Sequence, residues 1–542
     1  MKKFLLYIVI VIAITLPIVK PLIQPGFFVT HDAGWMTIRL SAFHQSLKDG
    51  QFPVRWSRRL NHEYGYPLFN FIYPLPFYLG EIAYIFAREF SAAIKIVFIL
   101  SVIGSAVSMF VWLKSRFNFL SSLAGSVLYV YTPYRLVDIY VRGSIGEAVG
   151  FIFIPLIFLS VDRLKHQKPF SIIFGAISVA ATILSHNVFV IFAALGLLYG
   201  WITLPPARRS ALIKMTFLAA ALTAYFWFPA ISEIKYVRLG QISVTNPLEH
   251  LASFKQLIVP SWGYDAVSST TPTPMSLQIG LVNIAILIIS GFILLRKKVF
   301  SEVKFFLIIS VIAIFLIHHL SAFIWKLFPA ATIIQHPWRL LSVTAFTTAT
   351  LAGNIANIYK SRLLAIGIII AAIIANITYA HPQNIQFVAD TFFSTNEDTT
   401  TIWNEYMPVW VSTFPTERLS DRVRFTKGRG FATDISENNL GMGMRIEASE
   451  DSTLNVPIVY YPGWQARVNG QPTPIDYNNN GLISIDVPKD ISLISLYWRE
   501  TKSRQTANFI SLITLLTIIS HVACTLFWSQ TPAQLPSKKP KK

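Results

Sequence analysis

The chain is predicted to be mainly α: a polytopic transmembrane bundle of twelve or thirteen helices, with a small outer β-sandwich-like domain before the last helix. Three observations carry this. Of its 542 residues, 53% are hydrophobic and 13% charged, about half the charged share of an ordinary soluble chain. Apolar runs of 16–22 residues recur along it, the length that crosses a hydrocarbon core about 30 Å thick. Between 381 and 506 continuous runs give way to apolar alternation with more Asn, Thr and Gly.

The apolar runs are continuous, so they read as helices rather than barrel strands. They cover 4–22, 92–113, 118–133, 147–162, 170–185, 187–204, 211–230, 280–295, 304–320, 338–358, 363–380 and 507–528. Residues 74–90 break the in–out parity and are either a re-entrant or interfacial helix or a thirteenth crossing. Residues 4–22 follow two lysines but have no small-x-small cleavage site, so an uncleaved first helix is expected.

The net charge of +19 collects in short clusters at segment ends: Lys2-Lys3, Lys114 to Arg116, Arg163 to Lys168, Arg208-Arg209, Arg296 to Lys298, Lys360 to Arg362 and Lys538 to Lys542. That is the positive-inside pattern of a plasma-membrane protein with a cytoplasmic N-terminus, not a nucleic-acid footprint. The outer face then receives 23–73, 134–146, 231–279, 321–337 and 381–506, and the inner loops carry no nucleotide-binding glycine loop. The single cysteine, Cys524, excludes an intrachain disulfide and a cysteine-based metal site. His318-His319 are adjacent and would face different ways on a helix, so no metal and no cofactor is expected.

The organisation expected is a membrane domain at 1–380 that includes the first outer loop, an extracytoplasmic β-rich domain at 381–506, a last helix at 507–528 and a basic cytoplasmic tail at 529–542. Leu454 to Tyr461, Trp464 to Val468, Leu482 to Val487 and Ile491 to Trp498 read as strands. Asn469-Gly470 and Asn478-Asn479-Asn480-Gly481 are turn signals.

Polar groups beside a bilayer are costly unless hydrated or paired, so the polar residues of the outer face are the candidates for chemistry. Asp32, after His31, stands near the start of a short amphipathic helix expected to lie on the membrane and suits a general base; a plain N-cap is its ordinary alternative. Arg39, Arg55, Arg58 and Arg59 share its loop and could hold phosphate, or simply anchor at anionic lipid. Arg142-Gly143-Ser144 with Glu147, the turn His186-Asn187, and His336-Pro337-Trp338-Arg339 mark three further outer mouths. Each is either a binding element or a routine helix boundary. Asp265, Tyr264 and Gln278 are weaker candidates.

These motifs, with Pro53-Val54-Arg55-Trp56, Gly65-Tyr66-Pro67, Tyr73-Pro74-Leu75-Pro76, Ser185-His186-Asn187 and Tyr461-Pro462-Gly463-Trp464, give the chain a resemblance. It resembles the bacterial multi-pass family labelled "6-pyruvoyl-tetrahydropterin synthase-related membrane protein". That family has a His four residues after the Asp, where this chain has Met36. In plan it is similar to GT-C fold glycosyltransferases and YfhO-like membrane proteins. The resemblance implies an inverting transfer of sugar from a polyprenyl-phosphate donor to a cell-envelope glycan or lipid acceptor. Asp32 is then implied as the base, with the arginines on the leaving phosphate. Two other readings stand beside it: a non-catalytic transporter or assembly protein for lipid-linked glycans, and a scaffold whose outer domain binds glycan.

Overall fold

The computed structural model describes residues 2–242, 244–267, 273–296, 301–328 and 334–530. Most of the basic tail, and Lys297-Lys298 of one basic cluster, lie outside the described residues.

The chain opens with α1 (Lys2–Ile23), β1 (Phe27–Phe28) and α2 (Ala33–Lys48), then α3 (Leu75–Ala87), α4 (Phe90–Lys114) and α5 (Phe119–Tyr131). A short α6 (Pro133–Val137) leads into α7 (Ile145–Lys165), α8 (Ser171–Ser185) and α9 (Val190–Thr203). Next come α10 (Arg209–Leu222), α11 (Ala224–Ser232), α12 (Phe254–Ile258), α13 (Leu281–Arg296), α14 (Ser301–Ile317) and α15 (Ala322–Leu327). The helical part continues with α16 (Leu341–Tyr359) and α17 (Arg362–Asn376), followed by β2 (Ile385–Gln386) and α18 (Asp390–Thr395). Strands β3 (Arg424–Lys427) to β10 (Asp490–Trp498) precede the long α19 (Lys502–Gln530).

This is a mainly helical, multi-pass membrane architecture. Among the described residues five helices are long and apolar enough to cross a membrane: α1, α4, α7, the α17 region and α19. A sixth span results if Pro206–Leu222 and Ala224–Ser232, bent by 71° at Thr223, count together. Of the other apolar helices α5, α8 and α9 are shorter than expected, while α13 and α14 have the expected length. The single helix expected over 211–230 is therefore two. The segment 74–90 forms α3, 13 residues long, or about 20 Å, too short to cross the hydrocarbon core upright. Arg88 ends it in the left-handed region, at φ 59°.

Two further expectations need correction. Residues 134–146 were expected as an outer loop, yet they continue as α6 and a π turn over Asp138–Arg142. Helix α2 was expected to lie amphipathically on the membrane. Instead, Met36, Thr37, Ile38, Arg39, Leu40, Ser41, Ala42 and Phe43 are all buried, so protein covers it on most sides. The bundle centre is α16, buried at every position from Leu341 to Ala356. Its threonines return hydrogen bonds to their own helix, as Thr348 Oγ1 does to the Thr344 carbonyl at 2.6 Å. Asn283 Nδ2 of α13 donates to Thr348 Oγ1 at 2.6 Å, joining the two helices through a polar contact.

Near the C-terminus, β3 (Arg424–Lys427), β6 (Ser452–Val459) and β9 (Leu482–Val487) form one antiparallel sheet, in order β3-β6-β9. The other contains β4 (Gly430–Asn438), β5 (Gly441–Ala448), β10, β7 (Trp464–Val468) and β8 (Gln471–Thr473), in that order. Met442, Met444 and Ile446 of the larger sheet are buried, as are Leu454, Val456, Ile483 and Ile485 of the smaller one. Asn469 (φ 51°) and Gly470 (φ 79°) both take left-handed backbone, as the β7–β8 hairpin requires.

The helical and strand-rich parts are joined by a buried seam. Trp56 of the first loop packs 5.3 Å from Trp498 and 5.8 Å from Trp464, ring centre to ring centre. At the base of α19, Arg504 Nε and Nη2 donate to the Glu233 carboxylate at 2.7–3.1 Å. Tyr461 and Asn70 donate to the same carboxylate at 3.0 and 2.9 Å. One carboxylate thus ties three distant segments to its own.

Candidate functional site

Asp32 opens α2 but does not cap it. Its side chain makes no capping hydrogen bond; the Ala33 N–H donates instead to Thr30 Oγ1 at 3.1 Å. What positions Asp32 is main chain: its N–H donates to the Arg142 carbonyl at 2.8 Å, and the His31 N–H to the Val141 carbonyl at 2.9 Å. This close approach needs glycine at 143. Gly143 sits at φ +66°, and a Cβ there would meet Thr30 Oγ1 at 2.2 Å and the Ala33 nitrogen at 2.8 Å.

The π turn and the start of α7 carry the charges behind Asp32. Arg142 Nη1 donates to Asp138 Oδ1 at 2.7 Å and to Glu147 Oε1 at 2.8 Å. The Tyr134 hydroxyl donates to Glu147 Oε2 at 2.7 Å. Glu147 has no exposed surface. Gly146 lets Tyr73 and the Ser185 carbonyl pack close, where a Cβ would meet them at 2.5 and 2.7 Å. Arg339 comes in from the turn before α16, with Nε 3.6 Å from Glu147 Oε1. His186 Nε2 lies 4.0 Å from the same oxygen. The Trp338 ring lies 4.7 Å from the Arg142 guanidinium and stacks on His336 at 4.8 Å.

Among the buried groups the charges do not cancel. Arg135, Arg142 and Arg339 all act electrostatically on this cluster, against the carboxylates Asp138 and Glu147. These three cations and two anions leave one positive charge in excess, which the partly exposed carboxylate of Asp32, also acting on Arg142, faces from beside the buried cluster. Burial and the nearby Glu147 raise the Asp138 carboxyl above the usual carboxylate range. Among the described residues several buried polar atoms here have no hydrogen-bond partner: Arg135 Nε and Nη1, Arg339 Nε, Asp138 Oδ2, His336 Nδ1 and Trp338 Nε1. Arg339 uses Nη1 on Gln335 Oε1 at 2.9 Å. A buried cationic surplus with open donors suits an anion.

Both histidines here are neutral. Burial pushes His186 down to about 3, with Glu147 opposing and Arg339 and Arg142 adding to the shift. Burial pushes His336 down to about 2, helped by Arg339 and His250. The Val188 N–H donates to His186 Nδ1 at 3.3 Å, so the ring hydrogen sits on Nε2, facing Glu147. Asp32 itself is partly exposed, makes no side-chain hydrogen bond among the described residues, and acts electrostatically on Arg142 and Tyr73.

The structure therefore brings together Asp32, Arg142, Glu147, His186, His336 and Arg339. Arg39 reaches its edge, acting electrostatically on Tyr73 together with Asp32, Arg339 and Glu147, and the other candidates lie elsewhere. His31 Nε2 lies 2.6 Å from the Tyr264 carbonyl, on the outer loop. Asn187 is exposed. Arg39 is a clamp: its Nε donates to Thr400 Oγ1 at 2.9 Å and its Nη2 to the Thr400 carbonyl. Arg55 is held by Glu500, Asn70, Asn508 and the Tyr225 carbonyl at 2.8–3.2 Å. Their guanidiniums are hydrogen-bonded to protein partners at these positions. Gln278 Nε2 donates to the Ser261 carbonyl at 2.8 Å, and Asp265 accepts from Thr273, both on the outer loop.

Sequence reasoning missed Tyr134, Asp138, Arg135 and Gln335. Asp138 precedes Arg142 by one helical turn, a legible pairing once the π turn is expected. The others carry no local signal. Among the described residues no group of three or more His, Cys, Asp or Glu is placed to hold a metal ion.

Three solved structures share part of this shape. The apo oligosaccharyltransferase of Archaeoglobus fulgidus is 14% identical, at TM-score 0.45, over 72% of this chain and 56% of its own. The arabinofuranosyltransferase AftD from Mycobacteria is 11% identical at TM-score 0.42, over 70% of this chain and 27% of its own. The oligosaccharyltransferase AglB of Archaeoglobus fulgidus, with an inhibitory peptide and a dolichol-phosphate, is 13% identical at TM-score 0.44, over 73% and 56%. An uncharacterized protein of Lactococcus lactis subsp. cremoris (strain MG1363) is 24% identical over 247 residues, 42% of this chain and 40% of the relative. The chain thus spans well under two thirds of the length of each. Residues 408–507 match the family model described as "Bacterial membrane protein YfhO", which supports the YfhO-like part of the resemblance and leaves the pterin-synthase label without support.

Proposed function

We propose that this chain is an inverting, GT-C type membrane glycosyltransferase. In this reading it moves a sugar from a polyprenyl-phosphate donor to an extracytoplasmic glycan or lipid acceptor. One observation carries it: a carboxylate free of any capping duty, Asp32, is fixed by main-chain bonds to the Arg142 peptide, beside a buried cluster with surplus positive charge.

The chemistry follows from that pairing. Asp32 takes the proton from the acceptor hydroxyl as its oxygen attacks the anomeric carbon. The bond from that carbon to the phosphate oxygen breaks on the opposite face, and its electron pair leaves with the lipid phosphate. Negative charge then develops where Arg339, with open donors, and Arg142 can stabilise it. Glu147, Asp138 and Tyr134 hold Arg142 in place rather than react. The strand-rich region at 381–506 lies outside the plasma membrane in this reading and shapes acceptor access, with the N-terminus cytoplasmic. No cofactor is invoked.

The test is turnover by the reconstituted full chain with polyprenyl-phosphate hexoses and lipid or glycan acceptors. Transfer that depends on Asp32 supports the reading. Tight binding of the donor with no transfer would favour the non-catalytic handler of lipid-linked glycans.

A further inference from the structure

The sequence motif Tyr73-Pro74-Leu75-Pro76 has no part in the proposed chemistry. Its prolines open α3, with Pro74 as the N-cap and Pro76 in the first turn, and a residue before proline is disfavoured in helix. Tyr73 stands before that helix and packs on the start of α7. A Cβ on Gly146 would meet Tyr73 Cε2 and Cζ, both at 2.5 Å, so the hydroxyl end of the ring lies over this glycine. Gly143, three residues earlier, carries Thr30 and Ala33, which come from either side of Asp32. The segments of Asp32 and Tyr73 are therefore laid on one short stretch of chain. Tyr73 also packs on His186, ring centres 4.9 Å apart, and His186 faces Glu147, the partner of Arg339.

The Tyr73 hydroxyl makes no hydrogen bond among the described residues. The residue is 9% exposed, and its oxygen is not sealed from solvent. Burial lifts the phenol to about 12, opposed by Arg39 and Arg339 and helped by Asp32 and Glu147, so it is neutral and able to donate.

We propose that the Tyr73 hydroxyl hydrogen-bonds a ring hydroxyl of the sugar being transferred. This rests on the transferase reading and names the group that selects the donor's sugar. In an inverting displacement the anomeric carbon lies between the attacking oxygen and the leaving phosphate. Asp32 serves the first and Arg339 the second, so a side chain that meets both borders the sugar ring rather than the lipid. The surroundings fit a neutral ligand group. Two cations, Arg39 and Arg339, and two anions, Asp32 and Glu147, act on the phenol. A phenol donates and accepts, as a sugar hydroxyl does. A sugar lacking that hydroxyl would leave Tyr73 unpaired, which is how a polar site rejects an analogue.

Binding is measured on the full chain in nanodiscs. The probes are bare undecaprenyl phosphate and its glucosyl, mannosyl, galactosyl and arabinosyl esters. Wild type should hold at least one ester more tightly than the bare phosphate. Tyr73→Phe keeps the ring on Gly146 and His186 and removes only the hydroxyl, so its melting temperature should match wild type. It should hold that ester about tenfold more weakly and the bare phosphate as before. Equal ester binding by the two proteins overturns the Tyr73 assignment and leaves the transferase reading standing. So does an equal loss for ester and bare phosphate, which moves the hydroxyl to the phosphate, or a wild type that holds no ester above the bare phosphate. A wild type that holds none of the probes overturns both readings.

Discussion

The Asp32 N–H donates to the Arg142 carbonyl at 2.8 Å, so the loop before α2 and the segment before α7 are held as one unit. The bond places a free carboxylate and a buried guanidinium side by side although 110 residues separate them (142 − 32). Neither side chain contributes to the bond. Substituting either side chain should therefore leave the other in place.

Asp32→Asn keeps the size of the side chain and removes its basicity. Turnover with a polyprenyl-phosphate hexose is expected to fall by about 10²-fold or more. Because the side chain caps nothing, the melting temperature should stay at the wild-type value. Wild-type turnover in this variant removes Asp32 from the chemistry.

Arg339→Lys keeps the charge but loses the planar fork. Its Nε contact to Glu147 is long, at 3.6 Å, and is no hydrogen bond, so little folding energy rests on it. Affinity for a polyprenyl-phosphate analogue should drop about tenfold with normal membrane insertion. Arg39→Lys and Arg55→Lys should instead lower stability, since their partners are Thr400, Glu500, Asn70 and Asn508. Equal analogue binding by wild type and Arg339→Lys would return Arg339 to simple anchoring.

Acid should destabilise the fold through His186 and His336. Burial, the larger cause in both, holds them at about 3 and about 2, against 6.5 for a free histidine. The unfolded chain therefore binds the extra protons first. Stability is fully present above pH 6.5 and is lost as pH falls below it, by roughly 1 kcal/mol per histidine for each pH unit. His336→Asn should flatten the fall in melting temperature between pH 6.5 and 4.5. An unchanged slope would mean that other groups carry the acid sensitivity.

Arg504→Met leaves Glu233 buried without its cation, at 4% side-chain exposure. Breaking such a pair costs about 3–5 kcal/mol. The seam joins α19 to the first loop through Tyr461 and Asn70, so limited proteolysis should open first near 500. Adding Glu233→Gln should recover part of the loss. A single variant as stable as wild type would show that the seam does not hold the two parts together.

Much of the architecture was legible in the chain. Apolar runs without alternation dictate helices, because a membrane leaves no other way to satisfy the backbone. The four strands expected over 454–498 correspond to β6, β7, β9 and β10, since their alternation and the Asn469-Gly470 turn are local signals. Strands β3, β4, β5 and β8 were not read, although in β5 Met442, Met444, Ile446 and Ala448 alternate with Gly441, Gly443, Arg445 and Glu447; the two glycines lower the strand propensity there. Glycine in Arg142-Gly143-Ser144 permits a close approach, and the structure brings Thr30 and Ala33 against Gly143.

By itself, then, the sequence determined a membrane-spanning helical chain, a strand-rich segment and the residue types at each outer mouth. It did not determine which arginines are free. Arg39, Arg55, Arg142 and Arg339 are alike as sequence features, the last three each next to an aromatic or glycine residue. Only the tertiary structure hands Arg55 to Glu500, 445 positions away, and Arg39 to Thr400, 361 positions away, while Arg339 keeps open donors. The physical reason is that a buried guanidinium is governed by the acceptors packed around it, and helix packing brings those from distant parts of the chain.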